Sequence, residues 1–518
     1  MRHHEQSSAM QPTSKLPAAG RWPSDSMGIE RPAAVLLAAI LGLSLVRAGL
    51  AAMIGLTEDE AYYRLWALAP AMGYLDHPPM VGWMIALGRW VGGDSPFGIR
   101  LPAILVSLLG PLVLWRTAGI LFGPIAARRA VWIALAMPLL AVGGVLITPD
   151  TPSVLFWGLA GWALAELHVS RNANWWLAVG TFAGLGLVSK YSNLFVGASI
   201  LLWLSLNRTN RAWLRCWQLW AGGVIAVLVA LPVLLWNYQH DWASLAKQLG
   251  RVSHGQGLTL AYLGELIGGS VGLMSPVAAV LAVVGLRRVA RSAAAGDQPA
   301  ALLVAGMLPF LAYLLVHSLH DRVQANWMAP LYASFAICAA LALGAIETPP
   351  KPGQTFGSQT FGKLGRWAVG IGLLLSGLIY WHTLYPLVRL QKDPTAQTRG
   401  WRELAAEVER ARAATGACWI ATSNYATTGQ LAYALKDKAP VVQLNERIRY
   451  LHLPAPDAGL LTCPALYVEL ERRADPAWLG ERFRSVTMLD SLTRSHAGVP
   501  LATYAIYLGK ELDSAALR

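Results

Sequence analysis

The chain has 518 residues, 55% of them hydrophobic and 14% charged, with 22 tryptophans and a formal net charge of +13. Soluble chains carry about 25% charged residues, so this balance, with a mean hydropathy of +0.43, excludes an ordinary soluble enzyme and indicates a polytopic α-helical membrane protein. The positive charge is no argument for nucleic acid, because many Lys and Arg residues sit in short loops between apolar runs, where they set topology.

Residues 1–31 are polar and expected to form a cytoplasmic tail, followed by a membrane domain over 32–388 and a soluble domain over 389–518. The first apolar run, 33–55, is long for a signal peptide and predicts a retained helix running outward. It delivers Thr57 to Met80, TEDEAYYRLWALAPAMGYLDHPPM, to the outer face. Residues 80–91 are too short to span and predict an interfacial helix. Helices at 98–121, 127–147 and 151–169 follow, with Arg128, Arg129 and Arg171 inside and Thr148-Pro149-Asp150 outside.

Arg171 precedes and Arg208, Arg211 and Arg215 follow the next apolar stretch, so both of its ends read as cytoplasmic. That predicts a hairpin of two limbs, 175–188 and 193–206, with Ser189-Lys190-Tyr191 at its tip. Each limb is shorter than the ~20 residues a full span needs. Lys190 then sits at the outer half of the bilayer, where it has a partner or a job, or snorkels to the interface. Helices at 217–236, 266–286, 300–318, 327–346 and 367–386 bring the count to about eleven spans. The stretches WNYQHDWASLAKQLGR and HSLHDRVQANW fall outside, and a Pro/Gly/Lys-rich linker, ETPPKPGQTFGSQTFGKLGR, falls inside.

After Pro386 the chain turns charged and periodic. WRELAAEVERARAA reads as a helix, and CWIATS, PVVQLN, ALYVEL and LATYAIYLG read as strands, together a small periplasmic α/β domain. Cys418 and Cys463 each flank a strand there, and an oxidising compartment would let them pair. Cys216 and Cys338 lie in or near spans and read as small apolar residues.

The stretch at 57–80 carries the chemistry. Asp59 and Tyr63 share one helix face, Tyr62 and Trp66 form a second i, i+4 pair, and Gly73 with the His-Pro-Pro turn sets the exit. Carboxylates held at a membrane edge by aromatics suit a polar substrate carried on a lipid; the plain alternative is a polar connector with an interfacial aromatic belt. Asp59, Glu60, Asp76, His77, Asp150, Lys190, His240, Asp241, His320, Asp321, Arg322 and Asn326 all map to the outer side, whereas inner loops hold mostly Arg, Lys and turn residues. A transporter would place ionisable groups near the midplane on discontinuous helices. The sequence has no GxxxxGK[ST], CxxC or HExxH, so nucleotide hydrolysis and zinc proteolysis have no support.

The DEAYY, GYLDHPPM, TPD, SKY and HDWASLAKQLGR segments, in this order between apolar helices, resemble bacterial lipid-linked-sugar glycosyltransferases of the GT-C superfamily. The nearest branch is related to dolichyl-phosphate-mannose–protein mannosyltransferases and includes aminoarabinose and galacturonic acid transferases acting on lipid A or its core. The likeness spans most of 32–345. It implies a GT-C membrane domain, a polyprenyl-monophosphate sugar donor, a glycolipid acceptor such as lipopolysaccharide, and chemistry at the periplasmic face of the inner membrane. By this resemblance Asp59 is the catalytic carboxylate, and Glu60 and Tyr63 hold its loop at the substrate. Lys190, His77 and Arg322 are candidates for the donor phosphate, and Asp150 caps the pocket or binds a sugar hydroxyl. Asp76, Tyr191, His240 and Asn326 complete the expected substrate-binding set. Aminoarabinose transferases show Glu-Lys before Pro-Pro; Asp76-His77 here favours a hexose or hexuronic acid. The resemblance implies no cofactor, while divalent-cation chemistry through Asp59, Asp76 and Asp150 stays open. A protein O-mannosyltransferase and a non-enzymatic lipid or polysaccharide transporter are the competing readings.

Overall fold

Apolar runs bounded by proline and glycine become helices, and proline decides where they break. The computed structural model describes residues 31–253, 257–346, 361–388 and 393–513. The N-terminal tail to residue 30, the linker over 347–360 and the expected domain boundary at 389 lie outside the described residues. Six described helices are long and apolar enough to cross a membrane: Pro32–Met53, Pro96–Phe122, Trp217–Gln239, Gln298–His317, Ala325–Ile346 and Lys363–Leu384. A bent pair makes a seventh if it counts as one span.

Several of the expected crossings are therefore not simple rods. The predicted helix at 127–147 is two, Pro124–Ala136 and Pro138–Gly143, because Pro138 lacks the N–H to continue the ladder and holds Met137 extended. The predicted helix at 266–286 is also two, Ala261–Met274 and Pro276–Ala294, bent by 109°. Ser275, ahead of Pro276, takes φ +72°, which no helix accommodates. The helix expected from 327 opens as a 3-10 turn, Ala325–Leu331, around Pro330 before Tyr332–Ile346 continues as α-helix.

The hairpin forms as Trp175–Ser189 and Leu194–Leu206, joined by the extended Lys190 and a 3-10 turn at Tyr191–Asn193. Trp176 and Trp203, at the far ends of the two limbs, have ring centroids 6.4 Å apart, so the chain returns to the side it left. Asn193 donates to Ser153 Oγ at 2.6 Å, fastening the tip to the helix Asp150–Ser170.

The C-terminal part carries a five-stranded sheet of order β2-β1-β3-β5-β4, with β1 Trp419–Thr422, β2 Val441–Gln443, β3 Ala465–Leu470, β4 Phe483–His496 and β5 Val499–Leu512. The first three run parallel, β5 runs antiparallel to β3, and β4 antiparallel to β5. Strand β4 escaped the sequence reading because its polar, half-exposed residues lack an apolar run. Its hairpin turns at Ala497 and Gly498, both at positive φ, as a two-residue turn between twisted strands requires. Cys418 and Cys463 are joined by a disulfide with Cα atoms 5.8 Å apart.

Candidate functional site

The acidic helix Glu58–Leu68 is set by its first turn. Thr57 accepts from the Glu60 backbone N–H and Glu60 Oε2 accepts from the Thr57 N–H at 2.9 Å, a reciprocal capping box. Glu60 also takes Arg100 at both oxygens, 2.8 and 2.6 Å, with both side chains fully buried. Arg100 spends its remaining N–H groups on the carbonyls of Ala51, Ile54 and Gly55, the open end of the first helix. Ile147 N–H completes the shell at 3.0 Å from Glu60 Oε1. Glu60 is thus a fully buried fastener between three segments, holding the loop of Asp59 without a surface of its own for a substrate.

Pinning Glu60 leaves its neighbour Asp59 partly open on the same turn. Asp59 Oδ1 accepts from the Tyr425 hydroxyl at 3.3 Å, a residue of the C-terminal domain. Burial lifts the Asp59 carboxyl above its ordinary range; the Tyr425 phenol opposes that rise, and Glu60 and Asp76 add to it. Tyr63 is buried against Trp66 at 4.7 Å and faces the His77 ring edge-on at 6.3 Å, so it builds the wall behind Asp59.

Asp76 is held by three side chains. It accepts from Tyr62 Oη at 2.8 Å, pairs with Lys247 at 2.8 Å and with Arg449 of the C-terminal domain, and its backbone carbonyl accepts from Gln248 at 2.7 Å. Burial alone would raise its pKa, but Arg449 and Lys247 outweigh burial and hold it below the usual carboxylate range. Arg449 also lies over the rings of Tyr62 and Tyr425.

A second polar group forms at the hairpin tip. Lys190 Nζ meets Asp150 Oδ1 at 2.6 Å, and Asn326 donates to Asp150 Oδ2 at 3.2 Å. Lys190 thus has a partner in the chain, the Asp150 carboxylate. Asp150 and Asn326 border a cavity of about 600 Å³ whose walls run through Leu114, Leu135, Trp157, Trp203 and Leu303. Arg47, 3% exposed, also lines it. The cavity is apolar along its depth and polar where Thr148, Asp150, Gln324 and Asn326 meet.

Other expected site residues lie elsewhere. Tyr191 hydrogen-bonds Ser244 at 2.9 Å and Asn237 at 3.1 Å, tying the hairpin tip to the next segment. His240 stacks on Trp236 at 4.2 Å in a separate hollow shared with Tyr74, Trp83 and His452. Arg322 is exposed and paired with Glu265 at 2.7 Å, away from the cavity lining. Asp59 and Asp76 neighbour each other, while Asp150 is taken by Lys190, so the three carboxylates considered for a cation do not converge. Among the described residues no group of three His, Cys, Asp or Glu side chains is placed to hold a metal.

Sequence reasoning missed Tyr425, Arg449 and Lys247. Lys247 sat within a quoted motif, between the chosen His240-Asp241 pair and the end of HDWASLAKQLGR. Tyr425 and Arg449 lie more than 300 residues from Asp59 and Asp76, and no spacing rule connects them.

A family model described as dolichyl-phosphate-mannose-protein mannosyltransferase matches residues 76–236. The lipid A galacturonosyltransferase RgtD of Rhizobium johnstonii is 26% identical over 385 residues, covering 73% of this chain and 77% of that one. An undecaprenyl phosphate-alpha-4-amino-4-deoxy-L-arabinose arabinosyl transferase of Edwardsiella ictaluri is 28% identical over 34% of this chain and 33% of its own length. Among solved structures, ArnT from Cupriavidus metallidurans superposes with a TM-score of 0.62 at 15% identity, over 92% of this chain and 98% of that one. The same protein bound to undecaprenyl phosphate gives 0.60.

Proposed function

We propose, since the chain belongs to the GT-C superfamily of membrane glycosyltransferases, that it moves one sugar from a polyprenyl-monophosphate donor to an envelope glycolipid such as lipid A or its core. The reaction is placed at the periplasmic face of the inner membrane. The observation that carries this reading is the cavity: its apolar depth suits a lipid chain, and its polar end abuts the loop that Ile147 fastens to the Asp59 helix. A hexuronic acid is favoured over an aminopentose, because Asp76-His77 stands before Pro-Pro and a relative spanning most of the chain is a galacturonosyltransferase.

In this reading the acceptor hydroxyl oxygen attacks the anomeric carbon. The bond from that carbon to the phosphate oxygen breaks, and its electrons leave on the polyprenyl phosphate. Asp59 orients the hydroxyl and takes its proton, a role for which a raised pKa is useful. Lys190 and His77 are the proposed donors to the phosphate, with Lys190 shared between it and Asp150. Asn326 and Asp150 offer hydrogen bonds to a sugar hydroxyl. Arg322, exposed on Glu265, is left out of the site. No metal is needed, and transfer is expected to survive EDTA.

The test is transfer by purified protein from a polyprenyl-phosphate sugar to lipid A, with mass spectrometry of lipid A and core from a deletion strain naming the sugar. Asp59→Asn is expected to cost about 10²–10⁴-fold in turnover without lowering the melting temperature or donor binding. Full transfer by Asp59→Asn would remove Asp59 from the chemistry. Lipid translocation without any sugar transfer by the wild type would favour a transporter. Transfer to a peptide but not to lipid A would favour protein O-mannosylation.

A further inference from the structure

The C-terminal domain does more than rest on the membrane domain; it reaches the acidic helix at several points. Gln430 Nε2 donates to the Leu56 carbonyl at 2.8 Å, and His452 meets the Leu65 carbonyl at 3.2 Å. Gly429 seats against the Ala61–Tyr62 backbone so closely that a Cβ there would come within 2.7 Å of Tyr62 N. Tyr450 is buried in the same apolar cluster as Tyr62, Trp66 and Tyr74.

This docking delivers Tyr425. Asn424 caps the helix Tyr425–Ala434 by accepting from the Ala426 N–H at 2.9 Å, which sets where the Tyr425 side chain leaves the backbone. The Tyr425 ring then packs on Tyr62 at 5.0 Å and beneath the Arg449 guanidinium at 5.3 Å. Held on those sides, its hydroxyl ends at Asp59 Oδ1, while Asp59 Oδ2 accepts no hydrogen bond among the described residues.

We infer that the C-terminal domain is part of the active site, with Tyr425 as a positioning residue that anchors one oxygen of Asp59 so that the other faces the acceptor hydroxyl. The inference rests on the reading of Asp59 as the group that takes the proton. A carboxylate on one rotatable side chain has two equivalent oxygens; fixing one gives the other a single direction, which is what a proton-accepting geometry demands. The phenol also favours the ionised carboxylate against the groups that oppose it. Those are Glu58 and Glu60 on the same helix and Asp76 in the turn beyond, with Arg100 already taken by Glu60, and Arg449 and Lys247 taken by Asp76. Tyr425 stays a donor, because burial first and Asp59 second push its own pKa well up.

The experiment is the pH dependence of transfer by the full chain, wild type against Tyr425→Phe, which keeps the ring and removes the hydroxyl. The acidic limb of kcat is expected to move upward by about one pH unit, the shift one lost hydrogen bond to a charged group produces. Plateau kcat falls several-fold, while KM for the donor and the melting temperature stay as in the wild type. Gln430→Ala serves as the docking control: it removes a contact with Leu56 and should lower the melting temperature without moving the limb. An unmoved limb and unchanged kcat in Tyr425→Phe would overturn the inference. So would a limb shift of equal size in Gln430→Ala, which would make docking, not the phenol, the cause. Asp59→Asn separates the two levels. If it is inactive while Tyr425→Phe behaves as wild type, only the positioning role fails; if it is active, the reading beneath fails too.

Discussion

Two ion pairs in this protein use the same kinds of groups and do different work. Glu60–Arg100 is fully buried, 0% exposed on both sides, and every oxygen and N–H finds a partner in the chain. Asp150–Lys190 is 17% exposed on both sides, borders the large cavity through Asp150, and leaves the ammonium with donor capacity to spare. A saturated pair fixes the position of backbone segments and has nothing left to offer a ligand. A pair left unsaturated beside the cavity keeps the donor capacity that the proposed function assigns to a phosphate. The contrast separates fastening from binding more sharply than residue type does.

The largest expected effect falls on the saturated pair. Arg100→Met strands a buried carboxylate and three helix-end carbonyls, and breaking such a pair costs about 3–5 kcal/mol. Thermal melts of detergent-solubilised protein should show it as a large loss of melting temperature; a change within experimental error would erase the distinction drawn here.

Lys190→Met should be milder in stability, about 1 kcal/mol for a partly solvated pair, and harsher in function. Donor affinity and turnover are expected to drop together, with Lys190→Arg restoring only part of either because the guanidinium is larger and forked. A strongly destabilised Lys190→Met with wild-type donor affinity would place this pair beside Glu60–Arg100 as a fastener.

A smaller effect concerns Asp76, which is tied to Lys247 and Arg449 and so lies between the two extremes. Its folded pKa is depressed, so its stabilising contribution is present above the unfolded value of about 3.9 and is lost as pH falls through the folded value. Asp76→Asn should therefore lower the melting temperature at neutral pH, with the gap to wild type closing below about pH 4. A gap independent of pH would mean that shape, not charge, holds the turn. Asp59 has the opposite sign: its raised pKa disfavours the charged form in the fold, so Asp59→Asn should be neutral or slightly stabilising at pH 7.

Much of this molecule was legible in the sequence because a bilayer imposes local rules. Twenty apolar residues in a row, basic residues on one side and i, i+4 pairs all act within a few turns of chain. Those rules placed the first helix, the acidic helix and the hairpin with Lys190 at its tip, and short apolar runs placed the strands flanked by Cys418 and Cys463. They also placed Asp59 and Asp76 on one stretch, where their proximity follows from a short connection through Gly73 and the two prolines.

What the tertiary structure alone decided is which polar group meets which. Glu60 looked as available as Asp59 until Arg100, forty residues on, enclosed it. Arg322 looked like a phosphate ligand until its loop left it exposed and paired with Glu265. The proline breaks before Pro138 and Pro276 were visible as letters, but whether a proline kinks or severs a helix depends on the neighbours that re-satisfy its freed carbonyls. Tyr425 and Arg449 entered the site through packing of a whole domain on a helix, Gly429 against Tyr62. Such contacts depend on shape, charge and desolvation between distant segments, which carry no periodicity along the chain, so no reading of the sequence in one dimension could hold them.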